Sequence, residues 1–170
     1  LSGLGHDAAL IPLENDILSF AARIREFGPD ALVNLCEGFM GRPELEANVA
    51  AGFELLGLGF TGSGSKALAL CQDKYRTKAL LLAHSLPTAQ AQLVFSTDEE
   101  ISLDFPLMVK PNNEDASLGI YGHSVVADAE ELKERIGHVL ETYKQPVLVE
   151  KFLEGREFNV AVFENGTARA

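Results

Sequence analysis

Phe105-Pro-Leu-Met-Val-Lys-Pro-Asn-Asn-Glu-Asp-Ala-Ser-Leu-Gly119 decides how the chain reads. A short apolar run delivers one lysine into a polar loop closed by glycine, an arrangement suited to phosphate. Pro106–Val109 read as a buried strand, because four apolar residues bounded by turn chemistry are too few for a helix. Lys110 then stands at the strand's carboxyl end. Pro111 has no N–H and biases its predecessor away from the helical region, so Lys110 enters the loop from extended backbone. In the loop Ser117 offers a hydroxyl, Gly119 permits close backbone approach, and neighbouring amides can form an anion-binding concavity. A strand ending in a solvated Lys-Pro turn would use the same residues, so context has to decide.

Upstream, Ile17, Leu18, Ala21, Ile24 and Phe27 recur at helical spacing within residues 14–27, and Gly28-Pro29 stops that helix. Residues 30–36 carry Leu32, Val33 and Leu35 and read as a short buried parallel strand. The loop at its carboxyl end holds Glu37 and Arg42, where open α/β sheets place ligands, although exposed loop charges are usually only solvated. A helix over 44–56 follows, through Leu45, Val49, Phe53 and Leu56. Gly57-Leu-Gly-Phe-Thr-Gly62 matches the dinucleotide fingerprint literally, but that fingerprint needs a strand before it, and a helix precedes this one. A nicotinamide-dependent oxidoreductase is set aside on that order. Residues 59–66 imitate a phosphate loop with the terminal Ser65 and Lys66 reversed.

Two short helices are expected over 63–72 and 73–84, with Asp73 as cap. Lys74 follows the cap directly, where the helix dipole disfavours a cation unless an anion is near. Residues 90–95 alternate as a strand, Thr97–Glu100 form a capping box opening a short helix, and 121–127 read as another strand. Asp128–Glu131 cap a helix with Leu132, Ile136, Val139, Leu140 and Tyr143 on one face. Residues 145–150 form a buried strand, 158–163 a further one, and Asn165-Gly166 a tight hairpin turn. Where the strand ending at Glu150 bends towards Leu153, free backbone groups would suit a flat hydrogen-bonding base, with Phe152 as an apolar wall. Glu157 could accept from a ribose hydroxyl, or pair with Arg156 or Lys151.

The 170 residues suffice for one domain or two small ones, and 46% hydrophobic residues can fill a core. A net charge of −11 excludes unaided binding to nucleic-acid backbone. Cys36 and Cys71 lack metal-ligand spacing and read as buried thiols in a reducing compartment. No apolar run approaches bilayer length and no secretory signal opens the chain, so a soluble, cytosolic protein is expected, away from membranes. Leu1 at the start and a strand beginning at the end suggest a piece of a longer protein.

Gly57-Leu-Gly-Phe-Thr-Gly-Ser63, Gln72-Asp-Lys74, Leu86-Pro-Thr88, Met108-Val-Lys-Pro111, Ser117-Leu-Gly119, Val147-Leu-Val-Glu-Lys151 and Glu154-Gly-Arg-Glu157 together resemble the ATP-grasp superfamily, with the D-alanine:D-alanine ligases the nearest likeness. The matches run in order over residues 52–163, which is far more specific than any one motif. The resemblance implies an α/β and α+β fold. Residues 1–72 would be a partial Rossmann-like (pre-ATP-grasp) domain, 73–153 the small ATP-grasp subdomain, and 154–170 the start of the C-terminal subdomain. It also implies an ATP-dependent carboxylate–amine ligase that activates a carboxylate as an acylphosphate, which an amine then attacks. Lys74 and Lys110 would contact the phosphates, and the 112–119 loop with Ser117 would fold over them. Glu150, Lys151, Phe152 and Leu153 would form the adenine site, and Glu157 would hold the ribose. ATP, magnesium and a small carboxylate or amino acid are the implied ligands, with a homodimer left open. The family's magnesium ligands and oxyanion-stabilising arginine lie downstream of residue 170, so no metal ligand is assigned here. A noncatalytic ATP-grasp-like binding or scaffold module is the alternative.

Two departures bear on the substrate. The ligases usually carry Gly-Ser-Ser where this chain has Asp115-Ala-Ser117. Their His-Gly and Gly-Glu-Asp loops correspond to Cys36-Glu-Gly38 and Gly41-Arg-Pro43. Both imply a carboxylate or amine other than D-alanine.

Overall fold

The computed structural model describes residues 1–115, 117–164 and 168–169, the last strand residues by backbone alone. Four helices precede the first strand: α1 (Ile17–Phe27), α2 (Glu46–Leu55), α3 (Ser65–Gln72) and α4 (Lys74–Ala83). They are followed by β1 (Ala91–Val94), β2 (Leu107–Pro111), β3 (Val125–Val126), α5 (Ala129–Tyr143) and β4 (Val147–Lys151), with a separate pair β5 (Phe163–Glu164) and β6 (Ala168–Arg169). The main sheet has the order β1-β4-β2-β3 with every pairing antiparallel. The chain is thus a mixed α/β molecule with a small antiparallel sheet.

Alternation along the strands divides the sheet into two chemically different faces. Val94, Leu107, Val109, Val126, Val147 and Val149 form one core cluster with Leu132, Ile136 and Val139 of α5. The opposite face carries Met108 and Lys110 of β2 and Leu148 and Glu150 of β4, set side by side by the register Met108 with Glu150 and Lys110 with Leu148. One face therefore holds the sheet to α5 and the other presents charge. α5 forms as its pattern predicts: Asp128 accepts from the amides of Glu130 and Glu131, both at 3.0 Å, and Glu131 reaches back to the Ala127 amide. Asp128→Ala is expected to cost about 1 kcal/mol, as N-cap losses do; urea unfolding of the variant should move its midpoint down without changing the slope.

A second core joins α1 to α2 through Phe20, Ile24, Val49 and Phe53. Phe20 replaces Leu18 as the anchor of α1, since Leu18 is exposed. The strand expected over 30–36 is not formed. A single parallel bridge joins Leu32 to Phe60, and Asn34 turns the chain by accepting from the Cys36 amide. Val33 and Leu35 accordingly remain exposed. Cys36 is half-buried and Cys71 exposed, against the expectation of buried thiols.

Three further expectations are corrected. Thr97–Glu100 open no helix: Glu99 accepts from the amides of Phe95 and Ser96, and the chain then runs on so that Ile101 and Leu103 pack against the core. The strand over 121–127 contracts to Val125–Val126, because Gly122–Ser124 form a 3-10 turn. Of residues 158–163 only Phe163 lies in a strand, and Phe158, Val160 and Val162 are exposed. The Asn165-Gly166 turn and Ala116 lie outside the described residues.

Candidate functional site

Asn112 joins the two lysine-bearing segments. This residue, 2% exposed, follows β2 directly, and its amide donates to Pro146 O at 3.0 Å. Its side-chain oxygen accepts from the Tyr75 amide at 2.9 Å, while its Nδ2 donates to Asp73 at 2.9 Å. Its carbonyl takes the Lys74 amide at 3.2 Å. Asp73 meanwhile caps α4 by accepting from the Arg76 amide. The start of α4 is thereby fixed to the end of β2, which brings Lys74 beside Lys110. Neither contact has a short-range sequence signature.

Counting N–H donors separates three lysines that carry the same charge. An ammonium has three donors. Lys78 directs its three inward: to Glu150 Oε2 at 2.6 Å, Thr88 Oγ1 at 3.0 Å and the Ala89 carbonyl at 3.1 Å. It is saturated. Lys74 donates to the Glu114 carbonyl and, at 3.4 Å, to the Asn112 carbonyl. Lys110 meets Glu150 Oε1 at 2.5 Å. Lys78 is thus the fully bonded partner of Glu150, which Lys110 shares.

The electrostatics agree. Burial, then the neighbouring Lys110 ammonium, pulls the Lys74 pKa below its ordinary value against the opposing pull of Asp115, Glu114 and Glu150. An anion between the two lysines would offset both effects. Burial pushes Glu150 upward, but hydrogen bonds and charge from Lys110 and Lys78 outweigh it and hold the carboxyl below its usual range. Glu46, on α2, is raised by burial and by the nearby charges of Asp115 and Glu37. Glu46 thus stands within electrostatic reach of both Glu37 and Asp115. Arg42 pairs with exposed Glu44 at 2.7 Å, the solvated arrangement.

The 112–119 loop returns at Gly119, which has φ +78°. Ser117 is exposed with φ +61°, and its carbonyl accepts from the Ile120 amide. On the other side of the site, Glu150 is the shared counter-charge of two lysines, not a free flank. The backbone beyond it is less open than expected, because Lys151 N donates to Gln90 O at 2.9 Å and Phe152 N to Pro106 O at 3.1 Å. Lys151 turns its ammonium to the Asp104 and Phe105 carbonyls, both at 2.9 Å. Phe152 is half-buried, while Leu153 and Glu157 are exposed. Arg156 lies over the Phe158 ring at 5.1 Å.

Sequence reasoning missed Lys78, Asn112 and Arg135. Lys78 was the findable one, since Lys74 and Lys78 stand four apart on one helix and so share a face.

Comparison with known proteins gives this geometry its context. Residues 79–170, more than half of the chain, match the family described as D-ala D-ala ligase C-terminus. The D-alanine–D-alanine ligase of Glaesserella parasuis is 38% identical over 149 residues, covering 84% of this chain and 46% of that protein. The D-alanine–D-alanine ligase structure from Bacillus anthracis superposes with a TM-score of 0.62 at 26% identity, covering 83% of this chain and 45% of that one. The same enzyme complexed with ATP gives a TM-score of 0.59 at 26% identity, covering 79% and 45%. The small antiparallel sheet and these likenesses define the class, an ATP-grasp-type α/β unit. The chain belongs to the D-ala D-ala ligase C-terminus family. It spans about half the length of the curated relatives it matches.

Proposed function

We propose that the protein carrying this chain is an ATP-dependent carboxylate–amine ligase, and that this chain supplies the grip on the nucleotide. Lys74 and Lys110 bind the phosphates, with the 112–119 loop and Ser117 closing over them. The segment Glu150–Leu153 borders the adenine, Glu150 and Leu153 flanking the hinge that offers backbone groups and Phe152 serving as a wall, and Glu157 reaches the ribose. In the reaction the carboxylate oxygen attacks the terminal phosphoryl group, ADP leaves, and an amine displaces phosphate from the acylphosphate to give an amide. Residues 1–72 are read as a partial Rossmann-like domain on the substrate side, 73–153 as the small ATP-grasp subdomain, and 154–170 as the start of the next. The compartment proposed is the cytoplasm.

One observation carries the reading: two lysines distant in sequence, Lys74 and Lys110, stand within electrostatic reach of each other and of Glu150, whose charge Lys78 and Lys110 share. Positive charge held ready where phosphoryl charge develops is the main protein contribution to such transfers. The ATP complex of the Bacillus anthracis relative supports the choice of nucleotide. Magnesium would neutralise phosphate charge when bound. Among the described residues no three His, Cys, Asp or Glu gather in a metal-holding cluster, so no step is assigned to a metal. The sequence departures at Asp115-Ala116 and at Cys36-Glu37-Gly38 support a substrate other than D-alanine.

Lys110→Ala tests the grip. Loss of a charged donor to phosphate is expected to weaken binding of a fluorescent ATP analogue by about tenfold or more. Unchanged affinity would count against the assignment. Phosphate release by the intact protein with a panel of amino acids and dipeptides then identifies the carboxylate and the amine.

A further inference from the structure

Arg135 is a buried cation that the proposed chemistry does not use. It sits on α5 among residues that otherwise face the core, 4% exposed, and burial lowers its pKa from the ordinary arginine value. A buried guanidinium is costly unless it is paired. Here its contacts run to one place. Nη2 donates to the Gly119 carbonyl at 2.6 Å and to Ser124 Oγ at 3.1 Å, and the guanidinium lies 5.9 Å from the centre of the Tyr121 ring. Its Nε and Nη1 are buried without a hydrogen-bond partner among the described residues.

The residues Arg135 touches form the exit of the 112–119 loop. Ser124 Oγ accepts from the Tyr121 amide at 2.9 Å and stands 3.4 Å from the Gly119 carbonyl. Tyr121 hydrogen-bonds Tyr143, which raises the Tyr143 pKa, and its ring stacks on His123 with centroids 5.4 Å apart. The loop's entry is held separately by Asn112, and its middle by Lys74 at the Glu114 carbonyl. Within it the Asn113 amide donates to Gln145 and the Leu118 amide to the Asp115 carbonyl, so the strap is tied down at its entry and along its returning arm. Without the guanidinium, the exit carbonyl would lose its strongest partner.

We infer that Arg135 is a positioning residue for the phosphate loop: from α5 it fixes the Gly119 carbonyl and so holds the returning arm of the loop, with the Ser117 hydroxyl, in place for the phosphates. This rests on the reading of the loop as a phosphate site. The role is specific to the loop, so nucleotide phosphates should feel its loss and the nucleoside should not.

The test is calorimetric titration of the intact protein with ATP and with adenosine, for wild type, Arg135→Met, Arg135→Lys and the milder Ser124→Ala. Arg135→Met is expected to lose about tenfold in ATP affinity with adenosine affinity unchanged. Arg135→Lys should recover part of that loss, and Ser124→Ala should shift the ATP-to-adenosine ratio in the same direction. Amide exchange should quicken at residues 117–120 and not in β2 or β4. Should Arg135→Met fail to fold, the Lys and Ser124→Ala variants still decide the matter. Parallel weakening of both ligands, or no change in either, overturns the inference while the phosphate site stands. A wild type that binds ATP no better than adenosine overturns the phosphate reading, and the inference with it.

Discussion

Glu150→Ala is expected to destabilise the chain by about 3–5 kcal/mol, the cost of leaving a buried ion-pair partner uncompensated. Two ammonium groups depend on this carboxylate, Lys78 at 2.6 Å and Lys110 at 2.5 Å, and all three side chains are less than a fifth exposed. The loss should be visible in urea unfolding at neutral pH. Inorganic tripolyphosphate should restore part of it, because the anion replaces the missing charge between the lysines. The pH dependence follows from the lowered carboxyl pKa. A carboxyl bound more tightly as the anion in the folded state contributes fully above its unfolded value of about 4.3. The contribution then disappears as pH falls through the lower folded value. Wild type should therefore lose its advantage over Glu150→Ala progressively in acid. A variant as stable as wild type at pH 7, or an advantage constant down to pH 2, would show that the triad carries little.

Glu150 also marks the limit of what the sequence discloses. Lys74 and Lys110 were legible individually, because a cation at a helix start and a lysine before proline at a strand end are both locally odd. Their meeting was legible only through resemblance, since it depends on Asn112 bonding across to Asp73 and Tyr75. The same contrast runs through the fold. α5 announces itself because cap, period and amphipathic face agree, and all three survive. Residues 30–36 mislead because a short apolar run becomes a strand only when neighbours pair with it, and here one bridge to Phe60 is what it finds. At Thr97 the capping pattern was real but displaced: Ser96 and Glu99 make the local bonds. The pull of Ile101 and Leu103 into the core then ends any helical continuation. Arg135 was hidden for a related reason, since on α5 its charge looks like part of the solvated face.

Gly119→Ala should cost about 2–5 kcal/mol, because a left-handed backbone and a filled neighbourhood penalise the same methyl group. The residue has φ +78°, and an added Cβ would stand 2.6 Å from Pro111 Cγ, 2.8 Å from its Cδ and 3.1 Å from Tyr143 Cζ. Pro111 cannot yield easily. It is buried at the end of β2, where its ring is fixed by the pairing of Pro111 with Val147. Relief would have to come from the loop itself, by moving the Gly119 carbonyl off Arg135. The variant should therefore lose ATP affinity along with stability. Gly122→Ala is the internal control: three residues on, nothing lies within 4 Å of where the added methyl would stand, and its stability should stay within about 0.5 kcal/mol of wild type, as for ordinary surface changes. Paired urea titrations decide the point. If Gly119→Ala proves as harmless as Gly122→Ala, the loop exit is not packed, and the fixed strap over the lysines goes with it.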